Sequence, residues 1–458
     1  RKMIDLVLLT ALATMAVALS VGWLRWRQTG VIAPFGGFLI GSVFFVQLGF
    51  IYFYFVYEKA TFAQDALLTI SLGILLAAVG GTVALFFLEP SPKPYRISFN
   101  QVRWAYPFKA YIIVAIILLS LTMLYFVLLG YVPLLMGLET LLSEGFTSRL
   151  LQKPRTMRNI YINPDAAYIP FQGLLEAFRF VGLSMASIWF VHRFREGKQR
   201  LLSVFVVALC LFWLVSTGQR WPLLHFLINL FVYFSFTTND YHFRRIASRI
   251  VLWGFVSGAI ISALQARTNE VLVGLFEIAS FGVANLAGRI LFGNAIAPVL
   301  SFQVFPYEYN WLWGHSYLQN LLSYLPGPYP SFPVTFNYMV MKEQVGFTAP
   351  PDFYTEAYVN FGLIGTLIMS FLVGVLLAML DKLIIRYRDT VIGLSALSIV
   401  TTYAILTPTN SLTFNIRPLI VMGIVTFCFN ALKSISINRL TLHTMLSFTK
   451  RDRQLDAL

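Results

Sequence analysis

Uninterrupted apolar runs, each close to the length that crosses a lipid bilayer as a helix, constrain the fold of this chain most strongly. A helix crosses the hydrocarbon core in about 20 mostly apolar residues, with every backbone amide bonded inside its own segment. The runs therefore predict an all-α, polytopic membrane protein of about 11–12 transmembrane helices in one domain, 1–458. The predicted spans lie at about 3–24, 34–56, 67–88, 111–130, 171–191, 201–216, 221–236, 250–264, 359–380, 391–407 and 418–433.

The composition excludes a soluble protein. Hydrophobic residues make up 58% of the chain and charged residues only 12%, against about 25% charged in soluble domains. The net charge of +14 could indicate nucleic-acid binding in a soluble protein. Here the cations lie mostly in short loops between spans, which indicates membrane topology and anionic headgroups instead. Cys210 and Cys428 lie within spans and form no metal-ligand spacing.

The loops sort into a strongly basic set and a set of lower charge, which alternate along the chain. Cytoplasmic loops carry the excess of Lys and Arg, so the basic set, including the tail 434–458, is predicted to be cytoplasmic. The segment 265–358, the loop 138–170 and the N-terminus then face outward. The basic set comprises Arg25 and Arg27; Lys93, Arg96, Arg103 and Lys109; Arg193, Arg195, Lys198 and Arg200; Arg244, Arg245 and Arg249; Lys382, Arg386 and Arg388; and the tail.

The segment 265–358 differs from the rest because it runs without a clear bilayer crossing. We expect an extracytoplasmic loop with short helices there, and a missed or re-entrant helix within 268–305. The segment also concentrates ionisable and aromatic side chains, so it is the predicted location of the chemistry.

Arginines stay at the outward boundary despite the positive-inside bias. Arg220 joins two apolar runs, Arg289 lies between small residues, and Arg417 precedes the last span. An arginine near the membrane is costly unless it is paired or reaches the interface, and its guanidinium suits phosphate. Two interpretations stay open: interface anchors, or clamps on a lipid diphosphate. For Arg289 a salt bridge to Glu277 or Glu308 is the structural alternative.

His315 and two carboxylates are the candidate acid–base groups. His315 follows Gly314 at a predicted helix start, and a neutral imidazole serves as a general base near pH 7; a purely structural histidine is the alternative. Asp352 and Glu356 are four apart after a Pro pair, which predicts that they share one face of a helix first turn. They are either dipole partners of that helix or a base and a partner for an arginine.

Aromatic residues are dense in the same segment and include Trp313, Tyr317 and Tyr324. They are typical of an interfacial belt and also compatible with a glycan groove. Motifs for metal- or nucleotide-driven chemistry are missing from the sequence: no outward DxD pair, HExxH, Walker motif or Gly-rich nucleotide loop occurs. No metal and no cofactor is therefore expected, and a donor would arrive already activated, for example as a lipid diphosphate.

Four motifs occur in a characteristic order: TGQRWPLLHFL at 217–227, NLAGRILFGN at 285–294, GHSYLQNLLSYLPG at 314–327, and TEAYVNFGLIGTLIMSFLVGVLL at 355–377. With these motifs, roughly residues 170–435 resemble the bacterial O-antigen polymerase (Wzy) family, which is related to oligosaccharide repeat-unit polymerases and O-antigen ligases. The G-H-S-Y-L and E-x-x-x-N-F-G-x-x-G elements are the most specific parts.

The resemblance implies a GT-C-type glycosyltransferase with a long outward-facing loop between late helices. Such an enzyme of the bacterial inner membrane joins undecaprenyl-diphosphate-linked oligosaccharide repeat units at the periplasmic face into a surface polysaccharide. The implied partners are the lipid-linked donor and acceptor, the membrane, a chain-length regulator and a flippase.

The resemblance also assigns roles to residues. Arg220, Arg289 and Arg417 would bind the diphosphate, with Arg289 also acting in catalysis. His315 would lie near the acceptor hydroxyl, and Glu356 matches the acidic residue before the N-F-G element. Trp313, Tyr317, Tyr324 and Asp352 are the expected glycan contacts.

Three other functions remain open at this point. An O-antigen ligase would use the same chemistry with a lipid A-core acceptor. A lipid-linked oligosaccharide transporter predicts charged residues within spans and internal repeats. A non-catalytic membrane partner of an assembly complex predicts that the outward arginines are replaceable.

Overall fold

The computed structural model describes residues 2–88, 95–135, 139, 171–217, 220–238, 295–327, 331–342, 350–410 and 416–434, with scattered positions between 243 and 288. Within these residues the chain is helical apart from connections, and no β-strand is formed. The helices are α1 Lys2–Thr29, α2 Pro34–Val56, α3 Thr61–Leu88, α4 Phe108–Leu129, α5 Gln172–Arg195, α6 Arg200–Val215, α7 Arg220–Thr237, α8 Ile296–Val304, α9 His315–Leu322, α10 Phe332–Met341, α11 Phe353–Tyr387, α12 Val391–Leu406 and α13 417–434.

The helices have the length and composition of membrane spans. In the described part of the chain, 7 helices are long and apolar enough to cross a bilayer: α1 to α5, α11 and α12. The shorter α6 and α7 are also apolar. Every predicted span except 250–264 coincides with a described helix, and 250–264 lies almost entirely outside the described residues. The protein is thus a multi-pass helical membrane protein.

The helices pack as two groups with separate buried cores. One core joins α1, α2, α3, α8 and α11, and the other joins α4 to α7 with α12 and α13. The groups meet where α2 crosses α12: a Cβ on Gly41 would lie 2.0 Å from the carbonyl oxygen of Ile405. Glycine is the residue that lets two helix backbones come this close.

The basic loops gather at one end of the molecule, which we call the basic end. The segment 95–104 ties several helix ends together there: Tyr95 N donates to Thr29 O at 2.7 Å, and Ile97 N donates to Phe236 O at 3.0 Å. Arg103 N donates to Asp389 O at 2.8 Å. In the described part of the chain, the loops that the charge pattern groups as cytoplasmic therefore share one end, where the segment 95–104 meets Thr29, Phe236 and Asp389. The N-terminus of α1 lies toward the opposite end.

The helix α11 is broken and folds back on itself at Gly362. Its backbone angles, φ 68° and ψ −164°, are not helical. Tyr354 and Ser370 approach the same residue of α3, at 2.8 and 3.1 Å from where a Cβ on Gly73 would lie. In a straight helix, residues sixteen apart are separated by about 24 Å. The arm 353–361 therefore runs from the middle of the bundle toward the opposite end, and 363–387 returns to the basic end.

This re-entrant arm refines the predicted span at 359–380. The helix begins earlier, at Phe353 in the middle of the bundle, where the Tyr354 hydroxyl lies 2.8 Å from Ser42 Oγ of α2. The missed or re-entrant helix expected within 268–305 lies mostly outside the described residues, which there form the short α8. A continuous apolar sequence on both sides of Gly362 conceals the reversal from any hydropathy pattern.

The turn before α9 satisfies the carbonyl groups that the break exposes. The last carbonyls of a helix have no partner within it. Leu312 N donates to Val359 O at 3.0 Å, and Trp313 N donates to Asn360 O at 3.1 Å. These bonds fix the start of α9 on the end of the re-entrant arm, which positions the candidate site.

Candidate functional site

Buried and partly buried polar side chains form two clusters at the end opposite the basic loops. The carboxylate cluster consists of Glu356 and Asn360 on the re-entrant arm with Ser316 and Asn320 on α9. The arginine cluster is built on α4, α5 and α13 and on the residues after α9. Its members are Tyr125, Glu176, Arg179, Tyr324 and Arg417.

The carboxylate cluster is assembled from two polar pairs at helical i, i+4 spacing, which places each pair on one face. Ser316 Oγ donates to Glu356 Oε1 at 3.0 Å, and Asn320 Nδ2 lies 3.3 Å from the same oxygen. Asn360 Nδ2 donates to Ser316 Oγ at 2.6 Å, while its Oδ1 accepts from Gly314 N at 2.8 Å. Glu356 is completely buried. A buried carboxylate held by donors on another helix locks those helices together.

His315 and Tyr317 flank this cluster on α9. His315 is exposed at the first turn, whereas Ser316 beside it points into the protein. The hydroxyl of Tyr317 is buried and has no hydrogen-bond partner in the described part of the chain.

The arginine cluster holds two guanidinium groups around one carboxylate. Arg417 Nε donates to the hydroxyl of Tyr324 at 3.1 Å, and its Nη1 lies 4.0 Å from Glu176 Oε2. Tyr125 joins the second arginine to this pair: its hydroxyl is 3.5 Å from Glu176 Oε1, and Arg179 lies over its ring at 5.7 Å. The cluster thus brings two guanidinium groups near one carboxylate, and guanidinium groups suit phosphate as a ligand.

The face of α9 connects the two clusters. Ser316 and Asn320 reach Glu356, and Tyr324, one helical repeat further, reaches Arg417. Tyr324 also closes against the start of α5, because a Cβ on Gly173 would lie 2.8 Å from its ring. One short helix thus sets the position of both groups of ionisable side chains.

The structure brings some of the sequence-predicted residues together. Arg417 donates to Tyr324, and Glu356 bonds to Ser316 and Asn320 of the helix that carries His315 and Tyr317. Asp352 is buried, and its carboxylate caps the re-entrant arm by accepting from Thr355 N at 2.8 Å and Thr355 Oγ1 at 2.7 Å. This is the helix-dipole alternative for Asp352, which precedes the first turn of the arm, whereas Glu356 lies within it.

Other predicted residues lie apart from the clusters or outside the described residues. Trp313 is 75% exposed and packs edge-on against Phe361 at 6.5 Å. Arg220 is the first residue of α7, and its side chain lies outside the described residues, as does all of Arg289. Glu308, an alternative partner of Arg289, forms an ion pair with Lys342 at 2.5 Å.

Sequence reasoning missed Ser316, Asn320, Asn360, Glu176 and Arg179. A usable signal exists for the last two, because an Arg and a Glu inside the predicted span 171–191 are costly in lipid and usually functional. For the carboxylate cluster, the signal was the i, i+4 spacing of two polar pairs. Ser316 is four residues from Asn320, and Glu356 is four residues from Asn360.

No group of His, Cys, Asp or Glu side chains that could hold a metal ion occurs in the described part of the chain. Comparison with protein-family models, with curated proteins and with solved structures found no match to this chain. The fold and the site thus define a multi-pass helical membrane protein with two buried polar clusters at one end of the bundle.

Proposed function

We propose that the chain is a metal-independent membrane glycosyltransferase that polymerises undecaprenyl-diphosphate-linked repeat units at the outer leaflet of the bacterial inner membrane. The observation that carries the proposal is the arginine cluster, in which Arg417 bonds to Tyr324 just beyond α9, the helix that begins with the exposed His315. The GHSYLQNLLSYLPG and E-x-x-x-N-F-G motifs support it further, because their polar residues build the carboxylate cluster.

In the proposed reaction an acceptor hydroxyl attacks the anomeric carbon of the lipid-linked donor. The bond from that carbon to the diphosphate oxygen breaks, and undecaprenyl diphosphate leaves. Arg417, oriented by Tyr324, neutralises the charge that develops on the leaving group. Two substrates that are both held in one leaflet meet with much of their encounter entropy already removed.

The difference in burial gives His315 and Glu356 different roles in the proposed reaction. His315 is exposed and can reach a substrate hydroxyl, so it accepts the proton in this proposal. Glu356 is completely buried and hydrogen-bonded by Ser316 and Asn320. It therefore acts as a positioning residue that holds α9, and with it His315, in place.

The test is polymerisation of purified lipid-linked repeat units by the full-length protein in lipid nanodiscs. Arg417→Ala and His315→Ala should each lower the rate of ladder formation by at least about 100-fold. Arg103→Ala is the matched control, because Arg103 is exposed at the basic end and pairs with Asp389; it should form normal ladders. Undiminished ladders from both site variants would overturn the proposal.

A transporter of lipid-linked oligosaccharides is the second candidate, and two observations favour it. Arg179 is fully buried within a span, and α11 is discontinuous at Gly362, as in transporters with broken helices. A fluorescent lipid-linked oligosaccharide in proteoliposomes separates the two. Transbilayer movement without polymer would support transport, and polymer without movement would support the glycosyltransferase.

The O-antigen ligase uses the same proposed site with another acceptor. Supplying a lipid A-core acceptor together with the lipid-linked donor distinguishes the two enzymes. A polymerase gives a ladder on the lipid carrier, and a ligase gives a glycosylated lipid A-core.

A further inference from the structure

The short helix α9 has its polar and apolar faces reversed relative to a helix on a water-exposed surface. Ser316 and Asn320 point into the protein, whereas Leu318 and Leu321 are 53% and 40% exposed. Leu325, just beyond the helix, is 52% exposed. A helix against water turns its polar face outward, so water is not the environment that this face fits.

The segment that carries α9 lacks formal charge. No Asp, Glu, Lys or Arg occurs between Glu308 and Lys342. These two residues form an ion pair, and both are about half exposed, at 52% and 55%. The ion pair joins the two ends of the charge-free segment 309–341. Interior charge is what keeps a segment out of the hydrocarbon region, and this segment has none.

The start of α9 packs beside the lipid-facing stripe of α11. The arm 363–387 exposes Ile364 and Ile368 at 72% and 55%, as expected of a span that contacts acyl chains. Residues around the start of α9 pack on the turn of that same helix: the ring of Tyr317 stacks on Phe361 at 6.3 Å. The start of α9 therefore lies next to an apolar stripe of a membrane span.

We propose that α9 is immersed in the membrane, with Leu318, Leu321 and Leu325 in contact with the acyl chains of the leaflet at that end of the molecule. The segment expected to be an extracytoplasmic loop is then partly a membrane-embedded element. Within the proposed function, a lipid-anchored substrate reaches His315 sideways from the leaflet, because His315 lies between the apolar face and the buried polar face.

Spin labels in the full-length protein in nanodiscs test the placement without reference to activity. Cys210 and Cys428 are first replaced by Ala, and single Leu318→Cys, Leu321→Cys and Leu325→Cys variants are labelled. Ile368→Cys is the lipid-facing control. Glu58→Cys, in the exposed turn between α2 and α3 at the same end, is the water-facing control.

The measurement is the accessibility of each label to oxygen, which dissolves in lipid, relative to a water-soluble nickel chelate. We expect the ratio at Leu318 and Leu321 to match Ile368 and to exceed that at Glu58 by at least fivefold. A ratio like that of Glu58 would overturn the proposal. Shielding from both reagents would overturn it as well, because it means that protein covers the face. Three label positions keep the test decisive if one variant fails to fold.

Discussion

At the scale of single residues, the environment of Glu356 separates a positioning role from a catalytic one. Its carboxylate accepts from Ser316 and Asn320 and is completely buried. A general base needs contact with the substrate proton and contributes about 10²- to 10⁴-fold. A positioning group needs only its acceptor oxygen, which a glutamine keeps.

We therefore expect Glu356→Gln to retain polymerisation within about tenfold of the wild-type rate, and Glu356→Ala to lower stability. Alanine leaves the Ser316 hydroxyl and the Asn320 amide without this acceptor, at a cost of about 1–3 kcal/mol for each unsatisfied group. Ladder rates and thermal unfolding in detergent measure the two effects. A loss of 100-fold or more in a fully folded Glu356→Gln protein would make the carboxylate itself catalytic.

A second residue-scale prediction concerns the buried ion pair at the basic end. Asp381 Oδ2 lies 3.0 Å from Arg25 Nε, its Oδ1 accepts from Phe35 N at 3.0 Å, and the arginine also donates to the Tyr95 hydroxyl. Arg25 is 4% exposed and Asp381 is fully buried. The carboxylate thus caps the N-terminal turn of α2 and holds α1 against α11.

Removing one partner of such a pair leaves an uncompensated buried charge, which costs about 3–5 kcal/mol. We expect Asp381→Ala to lower the free energy of unfolding by about that amount. The control is Asp389→Ala at the same end, whose pair with Arg103 is 44% and 77% exposed; exposed pairs contribute about 0–1 kcal/mol. Equal losses for both variants in chemical denaturation would contradict this account.

At the scale of elements, Gly362 decides whether α11 folds back. Its φ of 68° with ψ of −164° lies in a region that is essentially restricted to glycine and costs other residues about 1–3 kcal/mol. A Cβ there would also face the ring of Trp311 at 3.4 Å. We expect Gly362→Ala to destabilise the protein by about 1–3 kcal/mol and to displace α9.

The matched control is Gly423→Ala in α13, where a Cβ meets nothing within 4 Å. There alanine should be neutral or stabilising by about 0.5–1 kcal/mol. Thermal unfolding measures both changes, and reactivity of a cysteine at Leu318 reports the displacement of α9. Similar behaviour of the two glycine variants would mean that the reversal at Gly362 is not required.

The elements also show where sequence reasoning succeeds and where it stops. Hydropathy located α2 at 34–56 because lipid demands an unbroken apolar run of fixed length. It could not find the re-entrant arm, since Phe361, Gly362 and Leu363 read as one apolar run. The carboxylate cluster could not be predicted from the sequence for a related reason, because Ser316 and Glu356 meet only when the arm folds back.

At the scale of the whole molecule, the charge pattern predicts which end faces out. The segment 95–104 and the loops around it carry arginines at the basic end, while both polar clusters lie at the opposite end. Cytoplasmic loops carry the excess of positive charge. The arginine cluster departs from this bias: Arg179 is fully buried within α5, and Arg417, which is 13% exposed, lies 4.0 Å from Glu176.

Cysteine labelling in intact cells tests this orientation, with Cys210 and Cys428 replaced by Ala. We expect a membrane-impermeant maleimide to label Glu58→Cys, in the turn between α2 and α3, from outside. Lys198→Cys, exposed in the turn between α5 and α6 at the basic end, should react only after permeabilisation. The opposite pattern would place the clusters in the cytoplasm, where a polymerase acting at the outer leaflet could not use them. Labelling of both positions only after permeabilisation would likewise exclude the outward site.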